Sequence, residues 1–497
     1  MRHVLGIDLG TTNSLACTLE DGLPVIIVNE RGSRTTPSVI SFRNDREVLV
    51  GELAKSQAVL NRANTVAHIK RHMGTTHRVT LMGREYTPTE LSALILRKLK
   101  QYSEEYLGAP IEDVVITVPA YFNDNQRLAT MQAGELAGFR VLKLLNEPTA
   151  AALAYSLHHQ EDSRILVVDL GGGTLDISLL EHQDRVHRVK AFGGSTYLGG
   201  LEFDQRILDH LCAEFQAAHG IDLKADPVAY QQLVICAEKA KVDLSTIEQA
   251  QVMVPYITIS PQGPLHLNTV LSRETFERLV GDLVETIRRL IRETFEGVGL
   301  PLDWPDQVIL VGGATRMPLI TRLIQDLIGL APKRDLNPDE VVAKGAAIQA
   351  GILADQIADV EFYDVTSHTL GIEDDGGAFV PIIPNNAPYP TEQSRVFTTV
   401  RDEQEHVEIH VLQQSPLHPE LPLVSLGRFS LDQLPPRPKG APSIEVTFAI
   451  DRNGILQVTA HDPDHGMVNA MTIAEPAFAS SRDDLPPERR GTNLRIL

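Results

Sequence analysis

Three cysteines in 497 residues are too few to staple a fold. Cys17, Cys212 and Cys236 are odd in number and widely spaced, which excludes a disulfide framework and matches no zinc-ligand spacing; they read as small buried apolar side chains. Basic residues are also in short supply. With 45 Lys and Arg against 65 Asp and Glu, the formal charge is −20, so non-specific nucleic-acid binding, which needs a basic face, is not expected. No apolar run approaches the roughly 18 residues of a spanning helix, and no membrane partner is expected. Met1, Arg2 and His3 lead straight into an apolar strand, without the apolar core of a secretory signal. These absences predict a cytoplasmic location. What is present is ordinary for a globular protein: 43% hydrophobic and 22% charged residues. The chain is long enough for about two to four domains, each with a full core.

The most informative stretch runs from Arg164 to Leu180. A buried-type apolar run, Ile165 to Val168, ends on Asp169, passes through Gly171, Gly172 and Gly173, and resumes as a second strand beyond Thr174. Glycines at a strand-to-strand turn let the backbone approach a ligand and aim several N–H groups at one point. Such a turn suits a phosphate and its Mg²⁺, with backbone N–H groups and Thr174 facing the oxygens and Asp169 facing the metal or its waters. A tight hairpin with no ligand would use the same residues. Near the start of the chain a second copy appears: an apolar strand ends on Asp8 and is followed by Leu9, Gly10, Thr11, Thr12 and Asn13. In each copy a third strand follows a polar turn, at Asp21-Gly22 and at Gln183-Asp184. A three-stranded unit with a phosphate-type first turn therefore occurs twice, about 160 residues apart, as an internal repeat. Two such turns facing each other across a cleft would grip a polyphosphate from both sides.

Together with Val308 to Val311, Gly312, Gly313, Arg316 and Pro318, these stretches resemble the three signatures of the DnaK-type seventy-kilodalton heat-shock chaperones. Those chaperones belong to the actin-like and sugar-kinase-like ATPase superfamily. The resemblance runs from residue 4 to about residue 474. It implies an α/β actin-like ATPase domain (ribonuclease-H-like and duplicated) over residues 1–358, a linker at 359–364, an all-β sandwich that binds peptides at 365–474, and a short tail at 475–497.

Further along the chain, Thr89 to Leu107 has amphipathic spacing with Thr89 as its expected N-cap. Asp124 to Gly138, 203–247 and 272–297 also read as helices. Glu147 opens an alanine-rich helix with Pro148 in its first turn. It is either a charge that stabilises the helix dipole or a catalytic carboxylate. The resemblance favours the second, since the family's proposed general base sits in this Asn-Glu-Pro-Thr motif. The charges of the helix ending near Ser245 could simply be a solvated face; the resemblance makes Glu238, Lys241 and Ser245 adenosine contacts. It likewise places Gly199, Gly200, Gly312, Gly313 and Arg316 around the nucleotide. The small-residue run from Lys344 to Gly351 closes the nucleotide domain.

From Val365 onward, short alternating strands replace the α/β pattern, a sandwich signature. The resemblance places Ile372, Phe397, Val407, Ile409 and Ile455 around a pocket for an apolar side chain; as residues alone they equally suit an ordinary sandwich core. The pair arching over bound peptide in DnaK is methionine and alanine, whereas here those positions are Asp375 and Val400, which makes the groove less apolar and favours basic peptides. The linker, unbroken and aliphatic in relatives, is interrupted by Glu361 between Val360 and Phe362. Pro119 and Arg127 match positions that pass nucleotide state to the linker. The tail, with Pro476, Pro486 and Pro487, is too short and broken for the family's helical lid, so it is expected to be disordered or peripheral. This and a short segment between Lys70 and Glu147 resemble the divergent HscC branch.

The resemblance implies ATP/ADP and Mg²⁺ as cofactors, with K⁺ as a further ion. Asp8 and Asp169 would hold Mg²⁺ through its waters. Lys70 would neutralise developing charge, Glu147 act as base, Thr174 orient the γ-phosphate, and Asp176 accept a proton or bind an ion. Expected partners are unfolded polypeptide clients, a J-domain co-chaperone and a nucleotide-exchange factor, in protein folding and the stress response. Two other classes stay open: a small-molecule kinase of the same superfamily, which the sandwich disfavours, and a regulatory ATPase binding one specific partner.

Overall fold

The computed structural model describes residues 3–156, 161–183, 186–333, 337–357, 361–415, 422–451, 454–464, 466–472 and 494–497. Val4–Asp8 is buried along nearly its whole length because it is covered on both faces and has strands on either side. It runs antiparallel to Asn13–Glu20, which pairs in turn with Leu23–Ile27, and parallel to Asp113–Val118, beyond which lies Arg140–Asn146. A second sheet repeats that order of directions. Ser163–Leu170 is antiparallel to Leu175–Gln183, which is antiparallel to Val186–Ser195, while Gln307–Val311 lies parallel to the first strand.

Small residues hold the two sheets together. The helix Val341–Leu353 packs on the strand Val4–Asp8 and on the helix Glu147–Ser156. A Cβ on Gly6 would stand 2.0 Å from the Ala347 backbone nitrogen, and one on Gly345 would stand 1.8 Å from the Ala150 carbonyl oxygen. The alanine-rich sequences around Ala150 and Ala346 therefore let backbones touch where larger side chains would force them apart.

Three helix readings are corrected, the first two by capping chemistry. Pro88–Leu107 starts at Thr87, not Thr89, because Thr87 and Glu90 form a capping box. The expected helix over 203–247 is two, Gly200–His219 and Pro227–Leu244, separated by the left-handed Gly220 and restarted by the Asp226 cap before Pro227. The expected helix over 272–297 likewise divides into Arg273–Leu279 and Gly281–Glu296.

Residues 369–472 build two four-stranded sheets. One contains Thr369–Glu373 and His406–Gln414, the other Ile444–Ile450 and Leu456–Asp462. Both bury side chains in one shared core that includes Ile409, Val411, Phe448 and Val458. The strand Glu361–Val365, which falls on the expected linker, adds to the second α/β sheet, parallel to Val186–Ser195, despite the charged Glu361 and Asp364 in it. Pro388–Tyr389 then pairs with this strand. Further bonds bring the sandwich against the α/β part: Asn125 Nδ2 donates to the Ser425 carbonyl at 3.2 Å, and the Phe192 N–H donates to Asn386 Oδ1 at 3.1 Å.

Most of the expected tail lies outside the described residues. Its end is not peripheral: Arg495–Ile496 pairs with Glu47–Val50, a strand of a small sheet that also holds Val39–Phe42 and Thr65–Ala67.

Candidate functional site

The strand Thr65–Ala67 ends at His68, whose left-handed backbone (φ 58°) turns the chain into the short 3-10 turn Ile69–His72. That turn delivers Lys70 to the cleft. Lys70 Nζ stands 2.7 Å from Glu147 Oε1, and the two side chains are only 6% and 9% exposed. Glu147 is positioned by the parallel strand that ends at Asn146 and the helix that starts immediately after it.

Three aspartates at strand ends surround this pair. Asp8 accepts a hydrogen bond from Thr117 Oγ1 at 3.1 Å. Burial, then the charge of Glu147, pushes its pKa up to about 7 although Lys70 pulls the other way. Asp169 is raised well above the ordinary carboxylate range by burial and by Glu147, Asp176 and Asp8. Asp176 is pushed up to about 7 by burial and Glu147; the Tyr121 N–H donates to its Oδ1 at 3.4 Å. Its Oδ2 is buried with no partner among the described residues. Four carboxylates thus share the Lys70 ammonium, a set that favours an added cation. Among the described residues no three His, Cys, Asp or Glu side chains converge closely enough to ligate a metal directly. Aspartates spaced in this way suit Mg²⁺ that keeps its waters, which it sheds reluctantly.

The two glycine turns press against one another over this acid cluster. A Cβ on Gly172 would stand 2.0 Å from Thr12 Oγ1, and one on Gly173 would stand 2.8 Å from Thr11 Cγ2. Gly10 is pinned from behind, its carbonyl accepting from Ser38 Oγ at 2.7 Å, while Asn13 begins the next strand with its side chain exposed. The Gly200 N–H donates to the Gly171 carbonyl at 2.9 Å, so the helix Gly200–His219 begins on the second turn. Gly199 lies so close that a Cβ there would meet the Gly172 carbonyl at 2.6 Å. Helix N-termini and glycine turns of this kind present N–H groups to anions. Thr11 and Thr174 line a small cavity with Lys70, Arg71, Phe122, Gln126, Thr196 and Tyr197.

Each of the other residues expected around a nucleotide is held by contacts of its own. Gly312 (φ 81°) lies against the end of the strand carrying Asp169, where a Cβ would come 2.6 Å from Asp169 Oδ1. Gly313 follows it in a 3-10 turn that reaches Arg316, whose guanidinium bonds Asp339 at 2.6 Å and Asn337 at 2.9 Å. Lys241 Nζ donates to the Gly200 carbonyl and to Asp204, each at 2.9 Å. Glu238 pairs across the cleft with Lys55 at 2.8 Å. The Ser245 hydroxyl is turned back onto the Lys241 carbonyl.

Arg71 was not singled out from the sequence. Its guanidinium reaches the Gly173 carbonyl at 3.3 Å and Glu202 at 2.6 Å, tying the Lys70 turn to the second glycine turn. The signal was its adjacency to Lys70. The resemblance singled out Pro119 and Arg127, but not the contact of Asn146 with Asp364 that adjoins them. Arg127 bonds Asn146 and the carbonyls of Ala120 and Phe122, and Asn146 Nδ2 donates to Asp364 Oδ2 at 2.9 Å. Pro119, just ahead, is buried, and its carbonyl accepts the Phe122 N–H. Phe362 stacks on His187 with centroids 4.9 Å apart; Val360 lies outside the described residues.

The residues expected at the peptide groove do not gather on one open surface. Ile372 and Ile409 are buried in the sandwich core, with Phe397 and Val407 half-buried against it. Ile455 is 47% exposed and lines an open pocket with Pro390, Thr391, Ile450 and Gln457. Asp375 is exposed in the turn after Thr369–Glu373, and the Val400 N–H donates to Gln404 Oε1.

The fold and the cleft define the class first: a mixed α/β protein with glycine turns over buried carboxylates, continued by an all-β sandwich. The family model described as Hsp70 protein matches residues 4–80 and 75–485, and the chain belongs to the Hsp70 family. Members of that family pair an actin-like ATPase with a β-sandwich, use ATP or ADP with Mg²⁺, and work as chaperones on unfolded clients with co-chaperones. No helix among the described residues is long and apolar enough to cross a membrane.

Proposed function

We propose that this protein is an ATP-dependent molecular chaperone that hydrolyses ATP and couples nucleotide state to the binding of extended apolar segments. The observation that carries this reading is the buried Lys70–Glu147 pair, set among Asp8, Asp169 and Asp176 beneath two opposed glycine turns. In this reading the two α/β sheets are the duplicated halves of the ATPase domain, 1–358. Residues 359–364 are the linker, and 365–474 form the client-binding domain.

The turns at Gly10 to Asn13 and Gly171 to Thr174 receive the phosphates, walled by Gly199 and Gly200, whose own N–H groups are taken by Glu202 and the Gly171 carbonyl. Thr174 orients the terminal phosphate. Bound Mg²⁺, held by Asp8 and Asp169 through water, supplies charge neutralisation at the phosphate oxygens. Lys70 steers the water and balances charge gathering in the transition state. Glu147 Oε1, which Lys70 grips, takes the water's proton, and Asp176 is the next acceptor or a K⁺ ligand. Glu238, Lys241, Ser245, Gly312, Gly313 and Arg316 surround the nucleoside. Hydrolysis at Glu147 is felt at the linker through Asn146, Asp364 and Arg127, because Asn146 directly precedes Glu147.

A second reading, a regulatory ATPase dedicated to one partner, is favoured by the burial of Ile372 and Ile409 and the exposure of Asp375. Single-turnover ATP hydrolysis with and without a panel of unfolded peptides separates the two. Stimulation by many peptides, lost in Lys70→Ala, supports the chaperone. Hydrolysis that requires Lys70 and ignores every peptide moves the assignment to the regulator.

A further inference from the structure

The strand Glu47–Val50 pairs on one side with Val39–Phe42 and would otherwise be a sheet edge. An uncovered edge presents free N–H and C=O groups and invites another strand. Here residues 494–497 take that place, in parallel register, with Arg495 opposite Glu47 and Ile496 opposite Val48. The Arg495 N–H donates to the Arg46 carbonyl at 2.8 Å, and the Leu497 N–H donates to the Val48 carbonyl at 2.9 Å. The side-chain pattern fits the edge as well as the backbone does. Leu494 and Ile496 pack against the core built by Ile40, Phe42, Val48 and Val50, whereas Arg495 stays exposed and faces an opposite charge across the pair.

We propose that the outer edge of Glu47–Val50 is a β-augmentation site that this chain fills with its own residues 494–497. Backbone pairing provides the attachment, and the alternate apolar side chains, Leu494 and Ile496, provide the selectivity. Covalent attachment favours this occupant over a strand from a second copy, because pairing within one chain does not depend on protein concentration. The site also bears on the cleft. Glu47–Val50 leads through Gly51 into the helix Glu52–Gln57, whose Lys55 reaches Glu238 on the far side. The docked segment thereby braces the element that makes this cross-cleft contact.

Residue-resolved amide hydrogen exchange on the full chain tests the proposal. The amides of Arg495 and Leu497 should exchange slowly, at rates that do not change when the protein is diluted. Ile496→Asp should remove that protection while Val39–Phe42 stays protected, which also shows that the fold survives. Arg495→Pro, which deletes one donor and leaves the core side chains alone, should have the same effect. Exchange at unstructured rates in the unmodified protein overturns the proposal. So does protection that survives both substitutions, or protection that disappears on dilution, which would assign the strand to a second copy.

Discussion

Replacing Lys70 by methionine keeps most of the side-chain volume and removes the ammonium that four buried carboxylates share. At 2.7 Å and an effective dielectric near 20, the gross attraction between Lys70 and Glu147 is about 6 kcal/mol. Desolvation of the two ions offsets much of this, so the pair adds little to net stability while both partners are present. Removing one partner is different, because Glu147 is left buried and uncompensated at a cost of about 3–5 kcal/mol. The cost should depend on pH, and its sign follows from the neighbours. Lys70 lowers the proton affinity of Asp8, Asp169 and Asp176, so its loss lifts three pKa values that burial has already raised. The folded protein then holds more protons than the unfolded chain from the ordinary carboxylate range up past pH 7. Stability must therefore fall as pH rises through that window, by up to about 1.4 kcal/mol per pH unit for each group. The nucleotide-free variant should be most impaired at pH 8 and partly recovered at pH 6, with Lys70→Met/Glu147→Gln more stable than Lys70→Met alone. Denaturant unfolding followed by fluorescence of Trp304, the sole tryptophan, reports the change. A loss below about 1 kcal/mol that is the same at pH 6 and pH 8 would refute the buried-pair reasoning.

Three other outcomes follow from the same structure. Mg²⁺ needs deprotonated aspartates, and burial pushes Asp8 up to about 7 and Asp169 well above the ordinary carboxylate range, so Mg²⁺–nucleotide binding should weaken from pH 8 to pH 6 and release protons; calorimetry in buffers of different ionisation heat should show this, and the absence of release would count against these ligands. Gly345→Ala, whose Cβ would lie 1.8 Å from the Ala150 carbonyl, should cost more than about 3 kcal/mol or prevent folding, whereas Gly281→Ala, with nothing within 4 Å, should be tolerated in a thermal melt. His187, sandwiched between His182 and Phe362, has its pKa lowered to about 3 by burial and then by His182. An undocked linker would return it toward about 6.5, so docking should be strongest above that pH and weaken on acidification, seen as faster proteolysis at Glu361–Val365 that His187→Phe makes independent of pH.

The two glycine turns and their aspartates were legible in the sequence because they are written in short local codes. An aspartate at the end of an apolar strand, followed by glycine and threonine, needs no distant partner to be recognised, and both copies face the same cleft as expected. The pairing of Lys70 with Glu147 was not legible in that way. Seventy-seven positions separate them, and no periodicity connects a 3-10 turn to the first residue of an alanine-rich helix; the family resemblance joined them. Some misreadings were avoidable. The Thr87-x-x-Glu90 box and the Asp226-Pro227 start are local signals, and both outrank the hydrophobic spacing that ran across them.

The sandwich exposes a different limit. Alternation with period two places Ile372, Val407 and Ile409 on one side of their strands, and a strand has only two sides. An inward residue can serve a shared core or the wall of a groove that opens into it, with the same sequence pattern in either case. Which role it takes depends on the distance between two sheets, a quantity that no single strand encodes. Here the sheets close over Ile372 and Ile409. In the chaperone reading, client binding must therefore involve movement of the sandwich strands. The docked linker provides a physical route for such movement, because Asp364 joins the sandwich's first residues to Asn146 and, one residue on, to Glu147. Spectroscopic probes at Ile372 and Ile409 should then change environment between the ATP- and ADP-bound protein. If both stay buried in every nucleotide state while peptides still bind, the clients occupy another surface, and the open pocket beside Ile455 is the place to look.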